Sequence, residues 1–123
     1  MLPTTLLSVA LAGAAGALCR FAATTGLRGW LGEGPWPVAV VNVLGCFGFG
    51  VCLALLQGRV PQAVYLGVLA GFFGAFTTFS AFALDGAQLL EERRLAAFAL
   101  NVVLQNALGL GALCLGLAVA GRS

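Results

Sequence analysis

The chain has 123 residues, 61% of them hydrophobic and 8% charged, and its mean hydropathy is +1.05. A soluble domain of this length needs far more charge to cover its surface, so lipid is the expected solvent. The net charge of +2 comes from arginine alone, with no lysine and no histidine; this is too weak a field for a nucleic-acid surface and removes both the usual general base and the commonest metal ligand.

In chain order, the first apolar span is expected over residues 4–27, ended by Gly26 and a polar stretch at 28–37 in which Glu33, Gly34 and Pro35 mark a loop. No basic region precedes this span, and it is too long for a cleaved signal peptide. The second span is expected over 38–56, closed by a turn through Gln57, Gly58, Arg59, Pro61 and Gln62. The third covers 63–90, the charged turn Glu91, Glu92, Arg93 and Arg94 follows, and the fourth covers 95–120. A lipid core of ~30 Å needs roughly 20 apolar residues per helix. These spans therefore use nearly the whole chain, and residues 1–123 read as one four-helix transmembrane domain.

An even number of spans puts both termini on one side, with Arg59 and Arg122. Arg28, Arg93 and Arg94 fall on the other. Lysine and arginine excess sets orientation, and here the two sides nearly balance. Either other signals fix the topology, or the protein inserts both ways round and pairs antiparallel. Glycines cluster within the spans, including the Gly67-x-x-x-Gly71 match, and small residues let helices approach closely in lipid. A tightly packed oligomer is favoured, because a four-helix monomer could hardly enclose a solute path. Cys19, Cys46, Cys52 and Cys114 lie in apolar segments without CxxC spacing and read as packing residues.

Polar residues at membrane depth are functional candidates: Arg20, Asn42, Thr77, Thr78, Ser80, Asn101, Gln105 and Asn106. Asp85 lies toward the end of the third span, and no carboxylate sits at mid-depth. A stretch of glycine, threonine, serine and phenylalanine runs from Gly71 to Phe82. It allows two structures. One is a broken helix whose freed amides and carbonyls face an ion. The other is a continuous helix whose hydroxyls bond back to its own carbonyls. Phe72, Phe76 and Phe79 share helical spacing, which fits packing or lipid contact. Alternatively the positive ring edges attract a small anion. Asn42 supplies either an amide donor to that anion or an interhelical hydrogen bond.

The segment Gly74-Ala-Phe-Thr-Thr-Phe-Ser-Ala-Phe82 resembles the third-helix pattern GxxTTFSTF of the small fluoride channel family often called Fluc. Val41-Asn-Val-Leu-Gly45 is similar to its second-helix VNxxG, and Gly16-Ala-Leu-Cys-Arg20 to its first-helix GAxxR. The three occur in order and together span the chain. The resemblance implies an all-α membrane protein whose third helix is broken near its middle, assembled as an antiparallel dual-topology homodimer with two pores. It implies passive, fluoride-selective export that relieves fluoride toxicity, from a bacterial plasma membrane, with no enzymatic activity. Matching positions make Phe79 and Phe82 the pore phenylalanines and Asn42 the pore amide, with Ser80 a further hydroxyl. A structural sodium ion would lie on the two-fold axis, bound by the backbone carbonyls of Gly74 and Thr77 from both subunits. Arg20, toward the end of the first helix, would draw anions or else serve in packing. The chain departs from the pattern at Pro37, Val38, Ala81, Ala83, Asp85, Asn101 and Gln105. This bears on the polar lining at the pore ends and leaves room for a paralogous partner. Two other functions are open: a small dual-topology multidrug exporter, which lacks its mid-membrane acid here, and a non-transporting membrane subunit, which would not need the buried polarity around Asn42.

Overall fold

In lipid every backbone polar group must be satisfied within the chain, and helices do this segment by segment. A computed structural model describes residues 2–121 and consists of helices joined by short turns. They are α1 (Leu2–Leu31), α2 (Trp36–Leu56), α3 (Gln62–Leu66), a π-helical segment (Gly67–Phe73), α4 (Gly74–Phe76), α5 (Phe79–Glu91) and α6 (Leu95–Gly121). The pieces from α3 to α5 form the third span, so four helical stretches are long and apolar enough to cross a membrane. Met1, Arg122 and Ser123 lie outside the described residues, and with them the Arg122 charge counted above.

The first span ends later than its sequence suggests. Gly26 and Gly29 sit inside α1 with open space around them, and an isolated glycine weakens a helix without stopping it. The stop is Gly32, at φ 77°, whose N–H closes on the Arg28 carbonyl at 3.0 Å. Glycine favours this left-handed cap because it has no Cβ to clash. The second span starts early, at Trp36, because Pro37 occupies the first turn, where its missing N–H costs nothing.

Two tight helix contacts organise the bundle. α2 and α6 cross so closely that a Cβ on Gly50 would collide with the Leu113 carbonyl, and one on Gly116 with the Phe47 carbonyl. α1 packs on the π-helical segment, where a Cβ on Gly16 would strike the Phe72 carbonyl and one on Gly67 the Ser8 hydroxyl. In a π-helix N–H groups reach five residues back, and the Gly74 N–H does reach Leu69. The sequence held no signal for this widening. The protein-buried core is small, centred on Val38, Val41, Leu69 and Leu89, while Leu18, Phe21, Leu110 and many other large apolar side chains point outward. That inversion suits a protein whose surroundings are as apolar as its interior.

Candidate functional site

The third span is broken at Thr77 and Thr78. Thr77 lies at φ −86°, ψ 155° and Thr78 at φ −148°, ψ 120°, both extended. Of the two structures the sequence allowed, the break is the one formed. Threonine back-bonding occurs as well: the Thr77 hydroxyl donates to the Phe73 carbonyl at 2.9 Å. It closes the last turn before the break rather than carrying the helix across it.

Each side of the break has a defined partner. Asn42, on α2, clamps Thr78 from both ends. Its Oδ1 accepts the Thr78 N–H at 2.8 Å, and its Nδ2 donates to the Thr78 carbonyl at 3.0 Å. An extended residue presents both groups to one side, so a single side-chain amide satisfies both. Thr78 also caps α5, its Oγ1 accepting the Ala81 N–H at 3.2 Å. Gly45, one turn after Asn42, gives the break its room, since a Cβ there would run into the Thr77 methyl group.

These bonds redirect donors. A continuous helix would give the Thr78 N–H to the Gly74 carbonyl and the Ala81 N–H to the Thr77 carbonyl. Here the first goes to Asn42 and the second to the Thr78 side chain. The carbonyls of Gly74 and Thr77 are thereby released from helical bonding, and Gly74 itself is exposed on the single chain. Among the described residues no cluster of three His, Cys, Asp or Glu side chains exists. A cation at the break would therefore meet carbonyl oxygens, a donor set that fits a hard cation.

Beside the break lies an open groove of about 210 Å³ lined by Asn42, Cys46, Thr77, Thr78, Phe79, Phe82, Gln105 and Asn106. It continues along α5 and α6 into a second hollow that shares Phe79, Phe82 and Asn106 and ends at Leu90 and Phe98. Phe79 and Phe82 face each other at 5.4 Å between ring centroids, and Phe79 remains 79% exposed.

The phenylalanine stripe is therefore not continuous. The extended threonines interrupt its helical phase. Phe72 and Phe76 stack at 5.8 Å on the α4 side, while Phe79 and Phe82 belong to the groove.

Of the sequence candidates, the structure joins Asn42, Thr77, Thr78, Phe79, Phe82, Gln105 and Asn106 in one place. Ser80 stands apart from the groove lining: it is exposed, and its hydroxyl lies 3.1 Å from that of Thr78. Arg20 sits well inside α1 rather than toward its end, because α1 extends to Leu31. Its Nε donates to the Ala75 carbonyl at 3.0 Å, which places a positive group at the C-terminal end of α4, where it is favoured. Gln105, noted only as a polar residue at depth and a departure from pattern, proves to be a direct partner of Asn42. Its Oε1 accepts from Asn42 Nδ2 at 2.8 Å, and its Nε2 donates to Asn101 Oδ1 at 2.9 Å. The α6 spacing of Asn101, Gln105 and Asn106 was the available signal: the first two lie one turn apart on one face.

Residues 7–117 match the family described as CrcB-like protein, camphor resistance. The chain is 41% identical over 114 residues to the fluoride-specific ion channel FluC of Nitrosococcus oceani, covering 90% of this chain and 91% of that one. It is 44% identical over 117 residues to the protein of the same name from Solidesulfovibrio magneticus, with 90% and 91% covered. A third FluC, from Methylococcus capsulatus, is 43% identical over 120 residues; the match covers 95% of this chain and 53% of that protein. With four apolar spans, a broken third helix and a match over nearly its whole length, this chain belongs to the CrcB family of membrane proteins.

Proposed function

We propose that the protein is a passive fluoride channel that exports fluoride across the cell membrane, working as an antiparallel homodimer. The observation that carries this reading is the groove beside the helix break. It brings the side-chain amides of Asn42, Gln105 and Asn106, two phenylalanine rings and no carboxylate together within the membrane-spanning helices. Fluoride is small and strongly hydrated, so a pore must replace its water with donors held close. Ring edges and a neutral amide supply such donors without the full charge that would trap the ion. Phe79, Phe82 and Asn42 line the path, and Ser80 contributes through its contact with the Thr78 hydroxyl. Arg20 adds positive charge at the end of α4.

The groove is open on one side and Phe79 is largely bare, which supports a second copy as the missing wall. The near balance of arginines between the two sides of the membrane supports an antiparallel arrangement of that copy. On the two-fold axis, a sodium ion held by the Gly74 and Thr77 carbonyls of both copies is the cation this reading assigns. When bound it would join the two breaks electrostatically.

A multidrug exporter needs a mid-membrane acid to exchange for its cation, and a packing subunit has no use for an open groove that carries an amide. Family membership favours the channel over both. The test is anion efflux from liposomes containing the purified protein. Fluoride should leave rapidly while chloride is retained, and equal efflux of both ions, or none of either, would overturn the proposal.

A further inference from the structure

A run of amides leads from the backbone of Thr78 through Asn42 and Gln105, which line the groove, to the buried Asn101 behind it. Thr78, Asn42, Gln105 and Asn101 are linked in sequence by hydrogen bonds of 2.8–3.0 Å. An asparagine amide has two N–H donors, and both donors of Asn42 are engaged. One goes to the Thr78 carbonyl and the other to Gln105 Oε1. An anion in the groove can take a donor from Asn42 only by displacing one of these acceptors.

The two acceptors are not equivalent. The Thr78 bond is half of a paired clamp that holds the break, because Asn42 also accepts the Thr78 N–H. Losing it would strain the site the anion is entering. Gln105 offers a single bond from a flexible side chain, and it lines the same groove as Phe79 and Phe82. Its other tie is to Asn101, one helical turn earlier on α6, which is 0% exposed. Asn101 is itself incompletely bonded: its buried Nδ2 has no hydrogen-bond partner. Its orientation is held by packing and by the bond from Gln105, so Asn101 and Gln105 form a tether aimed at Asn42.

We propose that Gln105 is a latch on the Asn42 donor. It competes with the entering anion for one N–H and so sets the fluoride concentration at which the path fills. The inference rests on the fluoride reading above. At low anion concentration Gln105 keeps the donor satisfied. When fluoride arrives, a charge-assisted bond replaces a neutral one, and Gln105 swings aside while keeping its bond to Asn101. The latch raises the half-saturating concentration without touching the phenylalanines.

The sign of the effect separates this role from a structural one. If Gln105 only braced Asn42, its removal would weaken fluoride handling. A latch predicts the reverse. In liposomes, initial fluoride efflux is measured against fluoride concentration for the wild type, Gln105→Leu and Asn101→Leu, each first checked for intact assembly by size-exclusion chromatography. Gln105→Leu should lower the half-saturating concentration by about three- to tenfold, the worth of one neutral hydrogen bond. Asn101→Leu, which removes the tether outside the groove, should lower it by less. It also keeps the test open if Gln105→Leu does not assemble. A half-saturating concentration that is unchanged or raised in either assembled variant overturns the latch. If the wild type carries no fluoride at all, the functional reading fails and takes the latch with it.

Discussion

At the scale of single residues, the two phenylalanines and the asparagine of the groove do different work. Phe79 and Phe82 form a tilted pair open to the groove. Isoleucine keeps their bulk and removes the ring quadrupole. We expect Phe82→Ile, and likewise Phe79→Ile, to lower fluoride efflux by about two- to tenfold, the worth of a favourable aromatic contact, while the protein stays assembled. Wild-type efflux from both assembled variants would reduce the rings to packing residues. Asn42 is instead a structural partner of the break. Asn42→Ala removes both bonds to Thr78 and leaves extended backbone unpaired. Each lost bond of this kind costs about 1–3 kcal/mol when the remaining group is left without a partner. The variant should therefore melt at lower temperature in detergent as well as lose flux. An unchanged melting temperature would mean that Thr78 finds other partners. From sequence, Asn42 could have been either an anion donor or an interhelical bond. The bond to the break is present, and the one donor open to competition is the one Gln105 holds.

Among the elements, the α2 and α6 crossing depends on having no side chain at two points. A Cβ at Gly116 would meet the Phe47 carbonyl, and the Val51 amide nitrogen at 2.9 Å. Backbone atoms cannot move aside as a flexible side chain can. Gly116→Val should therefore separate the two helices, at a cost of about 1–3 kcal/mol from overpacking alone, and reduce the yield of assembled protein. Gly111→Val, on the same helix but with open space at its Cβ position, is the matched control and should assemble normally. Equal yields from the two would mean that the crossing adapts. The sequence made the glycine clustering visible and, with it, close packing. It could not say which glycine meets which backbone, because that pairing depends on how the helices are arranged in space.

For the whole molecule, the single chain leaves its groove and the exposed side of its helix break without cover. Pairing with an inverted second copy would cover both. Single-cysteine variants near the C-terminus, in a background with the native cysteines replaced, should react with a membrane-impermeant reagent from both faces of the membrane. Labelling from one face alone would exclude the antiparallel homodimer.

The number of membrane crossings and the place where the third helix would weaken were legible in the sequence. They follow from composition and from local preference: apolar runs of membrane length, and a glycine- and threonine-rich stretch at mid-depth. Three things were decided only by the tertiary structure. One is the π-helical widening, which no local signal marked. Another is the division of the phenylalanines between two halves of the span. The last is the chain of amides from Thr78 to Asn101. Each depends on residues far apart in sequence meeting in space, with α1 pressed on the third span and α6 on α2. In lipid those meetings are set by close packing and by polar groups that must find partners, and neither condition can be read one segment at a time.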